Sequence, residues 1–168
     1  MDHEKLWLRS GTFKRFEMTL STFQRTWARS EQWAFVAVKP GKMPASADSE
    51  EMIKALIRFE KQSSNADNKM AYQAAVKRWP TNLVLLMGFG NSAYKANDLA
   101  AAANAFNQAI NVHPNAAAAY NNLATVLLAQ GLAVEAKTAA EKGLKLAESD
   151  EKLKAQIHQT LAEINASK

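Results

Sequence analysis

The sequence predicts a mainly α protein: an α-solenoid of three helix pairs plus a capping helix, preceded by a small α+β segment with about three short strands. Of its 168 residues, 32 are alanine, and 27 of these follow residue 47. Alanine is the strongest helix former. Several positions after residue 47 recur every 34 residues, a period typical of stacked helix pairs. Seven of the large aromatic residues instead lie within the first 35 positions, which indicates a second packing style there.

Composition excludes several functional classes. The sequence contains no cysteine, which removes disulfides, thiolate metal sites and cysteine nucleophiles. No apolar run reaches the roughly 18–20 residues that span a bilayer. No charged-then-apolar secretory segment opens the chain. We therefore expect no membrane span, no cofactor and no metal, and the composition fits the cytoplasm as well as the periplasm or envelope.

The net charge of +5 is unevenly distributed. Residues 1–47 hold 8 Lys/Arg against 4 Asp/Glu, whereas residues 48–168 hold 13 against 12. A basic segment favours nucleic acid in some proteins. Here the basic residues are scattered and none forms a run of four, so an ordinary solvated surface explains them better. We expect no nucleic-acid partner, and salt-dependent gel shifts would test the alternative.

Residues 1–47 are predicted to form a small strand-rich segment. Alternation and β-branched or aromatic content mark three strands. They are residues 5–9, 16–20 and 33–38. A short helix is predicted after Ser21, and the connector PGKMPASA (residues 40–47) ends the segment. Since three strands make a poor independent core, we expect the segment to pair with a second copy through its open strand edges, giving a homodimer, or to pack across the first repeat.

A 34-residue repeat follows the connector, framed as residues 49–82, 83–116 and 117–150. Several columns share the period, which is harder to obtain by chance than one motif. They are Pro80 with Pro114, Tyr72 with Phe106 and Ala140, and Ala75 with Ala109 and Gly143. Each unit contains two helical segments, so the period predicts stacked helix pairs.

The middle unit, LVLLMGFGNSAYKANDLAAAANAFNQAINVHPNA, resembles the tetratricopeptide repeat, a helix-turn-helix of this length. Its eight signature places hold Leu86, Phe89, Gly90, Ala93, Ala102, Phe106, Ala109 and Pro114. Ala93 departs from the pattern, because a large aromatic is usual there. The third unit departs at Ala140 and Glu148, and the first, which is the weakest, has Asn68 where a small alanine is usual.

The residue types of the repeat have direct physical reasons. Gly90 with Ala102, and Ala124 with Ala136, allow the two helices of a pair to approach closely. Phe106 fills the space between one pair and the next. Small residues at these places are therefore a packing requirement of the predicted solenoid.

The helix ends can also be assigned. Pro80 and Pro114 end the second helix of a pair, since proline lacks an amide donor. The predicted N-caps are Ser49 or Asp48, Asp98 and Asp150, and the predicted turns are Asn97-Asp98 and Gln130-Gly131. A last helix over residues 151–165, within a capping segment of residues 151–168, has its apolar stripe at Leu153, Ile157, Leu161 and Ile164.

The resemblance implies a protein or peptide partner, held in a groove lined by the first helix of each pair. Its pattern places ten residues in that groove: Val84, Met87, Gly88, Asn91, Tyr94, Lys95, Asn121, Asn122, Thr125 and Leu128. Related arrays carry asparagines that hold an extended peptide backbone where this chain has Asn91 and Asn122. Capture of a C-terminal carboxylate is a sharper alternative, for which Lys54 and Lys95 are the candidate cations. The simpler interpretation is that both asparagines are consensus residues of the repeat.

Residues 6–48 (LWLRSGTFKRFEMTLSTFQRTWARSEQWAFVAVKPGKMPASAD) resemble the end of a bacterial papain-like peptidase domain of the bacteriocin-leader-processing type. In one group of such proteins, tetratricopeptide repeats follow that domain. The resemblance implies a bacterial source and a cysteine nucleophile with a histidine base upstream. This chain has no cysteine, and His3, His113 and His158 lie far apart.

We therefore expect no catalytic residue in this chain and interpret it as a non-catalytic adaptor. The alternative is that it is the C-terminal fragment of a cysteine peptidase whose repeats present a substrate or partner. A natural short protein that kept a remnant of the peptidase sheet is the other explanation.

Overall fold

The computed structural model describes residues 5–10, 13–19, 41–43 and 47–167, and the chain divides into two units, residues 1–37 and 38–168. In the first unit, β1 (Lys5–Ser10) and β2 (Phe13–Thr19) form an antiparallel pair with Lys5 opposite Thr19. The pairing register is irregular between Leu8 and Ser10 of β1. The described part of this unit is therefore a two-stranded antiparallel sheet.

Two of the three strands predicted for residues 1–47 fall within the described residues. The first lies where the alternation predicts it, and the second begins at Phe13 rather than at residue 16 because pairing with β1 extends it toward Ser10. The third predicted strand and the short helix after Ser21 lie outside the described residues. Pairing with a second copy stays a prediction.

The second unit contains seven helices in its described part. They are α1 (Ser49–Glu60), α2 (Asn65–Arg78), α3 (Leu83–Lys95), α4 (Leu99–Val112), α5 (Ala117–Ala129), α6 (Ala133–Leu146) and α7 (Glu151–Ala166). Consecutive helices pack on one another, so α1–α2, α3–α4 and α5–α6 form three pairs. The mainly helical solenoid predicted from the 34-residue period is confirmed.

The last helix keeps the register of the repeat. Helices α1, α3, α5 and α7 begin at residues 49, 83, 117 and 151, a constant spacing of 34. Helix α7 packs against both α5 and α6. It buries Ile157 and Ile164, two residues of the predicted apolar stripe. Helix α7 thus occupies the place of the first helix of a further repeat, and its role as a cap stays a prediction.

Side-chain caps begin several of these helices. Asp48, and not the neighbouring serine, caps α1 by accepting backbone N–H groups at 2.9 and 3.0 Å. Asp98 and Asp150 cap α4 and α7 through bonds of 3.0 and 2.9 Å, as predicted. At the turns between paired helices, Asn97 and Gly131 take positive φ angles of 58° and 79°. Asparagine and glycine tolerate this left-handed conformation best, which explains their presence there.

The core of the solenoid depends on small residues at the helix contacts. Gly90, Ala93 and Ala102 are buried, and the Phe106 ring fits against Gly90 so closely that a Cβ there would lie 2.5 Å from a ring carbon. Phe106 itself is 1% exposed. Ala93 is fully buried in the same cluster, which includes Ala102 and Phe106. The short helix–helix distance therefore follows from the missing side chain at Gly90.

We predict that Gly90→Ala lowers the free energy of unfolding by about 1–3 kcal/mol, because overpacking a closed core forces the ring or the helix to move. The gain in helix propensity, about 1 kcal/mol, acts in the opposite direction and is smaller than the expected strain. Urea denaturation followed by circular dichroism measures the change. Asn104→Ala, at an exposed position of α4, is the control and should be neutral or stabilising. A Gly90→Ala protein as stable as the parent would contradict this packing.

Candidate functional site

The candidate residues lie on α3 and α5, the first helices of the second and third pairs. Four are exposed: Val84, Asn91, Tyr94 and Lys95. Five are partly buried: Met87, Gly88, Asn122, Thr125 and Leu128. Asn121 alone among them is buried, with 9% of its surface exposed. Most of the predicted set is therefore within reach of a ligand.

The structure brings two of the candidates into direct contact. The Asn122 Nδ2 group donates a hydrogen bond to Oδ1 of Asn91 at 3.0 Å, which joins α5 to α3 across 31 residues of sequence. We call these two side chains the amide pair. An amide has two donor hydrogens and an acceptor oxygen, so one mutual bond leaves unused capacity on both members. The pair can therefore accept from and donate to a third polar group.

Two neighbouring polar residues have internal roles. The Thr125 hydroxyl donates to the backbone carbonyl of Asn121 at 3.2 Å. The Asn121 Oδ1 atom is buried and has no hydrogen-bond partner within the described part of the chain. A Cβ at Gly143 would lie 3.5 Å from the Asn121 nitrogen, so α5 and α6 are closely packed here. Asn121 thus sits deeper than its place in the repeat pattern suggests.

The two candidate cations differ in their surroundings. The Lys54 ammonium pairs with Glu51 at 3.1 Å. The hydrogen bond to this carboxylate, and then its charge, raise the pKa of Lys54. Lys95 is exposed, and it forms no ion pair among the residues that the structure describes. Lys95 is therefore the cation better placed to meet an acidic ligand.

Sequence reasoning missed one feature of this surface. Tyr72 of α2 reaches toward the helices on either side of it: its ring fills the space that a side chain at Gly88 would need, and its hydroxyl donates to Glu60 at the end of α1. Burial of the phenol, and then the hydrogen bond to Glu60, raise the pKa of Tyr72 well above its ordinary value. The sequence placed Tyr72 in the column of Phe106 and Ala140 at 34-residue spacing, but that column gave no sign of its polar contact.

A second missed feature braces α2 against the turn between α3 and α4. Lys69 pairs with Asp98 at 3.0 Å, and the Asn65 side chain donates to the Lys95 carbonyl at 3.0 Å. The backbone N–H of Ala101, and then the hydrogen bond from Lys69, lower the pKa of Asp98. These contacts fix the end of α3 that carries Lys95.

The described residues contain no group of three or more side chains arranged to hold a metal ion. Among the helices that the structure describes, none combines the length and the apolar character needed to cross a membrane.

Residues 87–151 match the family model of the tetratricopeptide repeat. This stretch, which contains the amide pair, therefore carries tetratricopeptide repeats. No curated protein matches the sequence.

Solved structures share the fold at low sequence identity. The type III secretion translocator chaperone SycD of Yersinia enterocolitica has a TM-score of 0.66 at 14% identity, over 74% of this chain and 88% of that one. The TPR2B domain of yeast Sti1, in complex with pHsp70, has 0.66 at 21%, over 71% and 98%. The first repeat domain of Spaghetti (RPAP3), bound to the HSP90 peptide SRMEEVD, has 0.63 at 19%, over 74% and 98%. These similarities show the tetratricopeptide fold.

We predict that Tyr72 ionises at a pH clearly above 10, the usual pKa of tyrosine. Because its folded-state pKa is raised, its contribution to stability is complete below about pH 10 and is lost as the pH rises through the folded-state value. The difference between alkaline absorbance titrations of the parent and Tyr72→Phe isolates this residue, and circular dichroism confirms that both stay folded. A difference curve with its midpoint near pH 10 would contradict the burial of the phenol.

Proposed function

We propose that the protein, with tetratricopeptide repeats over residues 87–151, is a non-catalytic adaptor that binds an extended segment of a protein partner on the face formed by α3 and α5. The observation that carries this proposal is the amide pair, Asn91 and Asn122, bonded across the two helices at 3.0 Å. The mutual bond orients two side chains that still offer donors and an acceptor to a ligand.

An extended peptide backbone matches this chemistry. Each peptide unit presents one N–H donor and one carbonyl acceptor, and side-chain amides complement both. The flanking candidates are apolar or neutral, namely Val84, Met87, Tyr94 and Leu128, and they would pack against ligand side chains. Such a surface favours binding over catalysis, because it holds no nucleophile beside a base.

Proteins of similar fold support a peptide ligand. The Spaghetti repeat domain is bound to the peptide SRMEEVD of HSP90, and the Sti1 domain is in complex with pHsp70. The Yersinia chaperone SycD forms a complex with a peptide of the translocator YopD. We propose a ligand of the same general class, a peptide segment, for this chain.

Capture of a C-terminal carboxylate is a finer version of the proposal. The exposed Lys95 supports it, whereas Lys54 is already paired with Glu51. A ligand peptide with an amidated C-terminus separates the two versions: an unchanged affinity points to backbone recognition, and a large loss points to carboxylate capture.

The resemblance of residues 6–48 to the end of a papain-like peptidase domain carries a second proposal. In it, the repeats present a substrate or partner to a cysteine peptidase whose catalytic half lies outside this sequence. A strand-rich N-terminal unit, which begins with the pairing of β1 and β2, is compatible with this origin. An in-frame cysteine and histidine encoded upstream of Met1 would support it, and a stop codon directly upstream would contradict it.

We predict that the double variant Asn91→Ala/Asn122→Ala weakens binding of the partner about 5- to 150-fold, as expected for the loss of two hydrogen bonds of about 0.5–1.5 kcal/mol each. Partners are first identified by co-purification from the source cell and mass spectrometry, and affinities are then measured by calorimetry.

The matched control is Asn104→Ala/Asn107→Ala, which removes two exposed asparagines of α4 instead. Both double variants should keep the parent helix content and unfolding transition. Equal affinities for the parent and the α3–α5 variant would show that this face is not the binding site.

A further inference from the structure

We propose that the solenoid has a second binding surface at the α2–α3 and α4–α5 connections, and that this surface takes a proline-rich segment of a partner in the polyproline II conformation. The two connections cover residues 79–82 and 113–116. Among the described residues that line the surface, Val84 alone belongs to the candidate groove on α3 and α5. The inference is therefore independent of the proposed function.

Two adjoining depressions form this surface. The first is an open cavity of about 590 Å³, and its lining includes Trp79, Pro80, Thr81, Asn82 and Val84. The second has a volume of about 400 Å³, and its lining includes Val112, Pro114 and Ala116. Leu83 and His113 line both, so the two depressions are continuous. We call them together the loop-edge groove.

The loop-edge groove is apolar along much of its length. Val84 and Val112 are 52% and 38% exposed. The Trp79 ring is partly exposed, and the Arg78 guanidinium lies over it at 5.0 Å from the ring centroid. None of the described lining residues is acidic, so a cationic ligand would meet no carboxylate there. Exposed aliphatic, prolyl and aromatic groups favour an apolar ligand surface.

Three hydrogen-bond acceptors of the groove are already engaged. The Pro80 carbonyl accepts from the Gln108 side chain at 3.0 Å. The Thr81 carbonyl accepts from Nε2 of His113 at 2.7 Å. The Oδ1 atom of Asn82 accepts from a backbone N–H of α3 at 3.1 Å. These oxygens are therefore satisfied without a ligand.

Two side-chain donors of the groove are unpaired. They are the indole N–H of Trp79 and the Nδ2 group of Asn82, neither of which bonds to another described residue. Within the part of the chain that the structure describes, Asn121 Oδ1 is the side-chain atom that is both buried and unpaired, so these two donors are accessible to solvent. Free donors beside engaged acceptors favour a ligand that is rich in carbonyl groups and poor in N–H groups.

A proline-rich segment has this chemistry. Each proline offers a carbonyl acceptor and an apolar ring but no backbone N–H. A polyproline II helix has three residues per turn and rises about 3.1 Å per residue, so prolines three positions apart lie on one side, about 9 Å from each other.

The spacing of the two depressions fits the same helix. The connections lead into α3 and α5, which pack on each other. Packed helices lie about 8–10 Å apart. A segment with prolines at positions i and i+3 would therefore place one ring in each depression.

The test titrates an oligoproline peptide of about twelve residues, with both termini blocked, into the ¹⁵N-labelled full chain, because this peptide is a polyproline II helix without backbone donors. Proton–nitrogen NMR spectra should show shifts of the Trp79 indole signal and of the Asn82 side-chain signal, with a dissociation constant below about 1 mM. The variants Trp79→Phe and Asn82→Asp identify these signals by their loss. The other three indole signals, from residues before the repeats, should not move.

The substitution Asn82→Asp also tests the donor directly. It keeps a side-chain oxygen that can cap α3 but replaces the amide donor by an acceptor, so affinity for the peptide should fall about tenfold or more. Asn107→Asp makes the same change at an exposed position of α4 outside the groove and should leave affinity unchanged. Val112→Gln, in the second depression, should also weaken binding, and circular dichroism checks that each variant is folded.

Several outcomes would overturn the inference. One is the absence of shifts at millimolar peptide, and another is a set of shifts confined to Asn91 and Asn122, which would place the peptide on the α3–α5 face. Unchanged affinity in both Asn82→Asp and Val112→Gln would show that the groove is not the site. Much tighter binding of the same peptide with a free C-terminal carboxylate would show an anion site instead. Self-association of the chain that Val112→Gln abolishes would show that a second copy occupies the groove.

Discussion

The close approach of paired helices is the constraint on which the rest of the second unit depends. It is set by the absence of side-chain atoms at a few places, of which Gly90 is the clearest: the Phe106 ring occupies the space where its Cβ would be. Buried alanines such as Ala102 and Ala136 continue the same contact in this and the next pair. Because interiors are close-packed, this geometry tolerates little change in volume.

The same constraint keeps the outer surface in register. Helices that begin every 34 residues present equivalent positions at equal steps, and α7 continues this spacing. The bond between Asn91 and Asn122 forms only because two positions of adjacent repeats fall opposite each other. Packing in the core thus determines where polar groups meet on the surface.

Much of the helical unit could be predicted from the sequence because its signals are local or periodic. Asp98 and Asp150 cap helices, Asn97 and Gly131 turn the chain, and the 34-residue columns set the pairs. Contacts between side chains distant in sequence gave no such signal. The Lys69–Asp98 ion pair and the hydroxyl of Tyr72 on Glu60 depend on the angle between helices. The burial of Asn121 has the same origin, since its exposure is decided by the packing of α5 on its neighbours.

A fixed scaffold with variable columns explains how such a chain can acquire a specific ligand. One column reads Ile57, Asn91 and Thr125, so equivalent places offer an aliphatic, an amide and a hydroxyl group. A change at Asn91 leaves the contact between Gly90 and Phe106 untouched, because Asn91 is exposed and lies about 100° round the helix from the buried Gly90. Under the proposed function, partner choice can therefore be altered by surface substitutions that cost little stability, whereas the small residues of the core must stay. In that proposal, binding chemistry and fold are encoded in different columns of the same repeat.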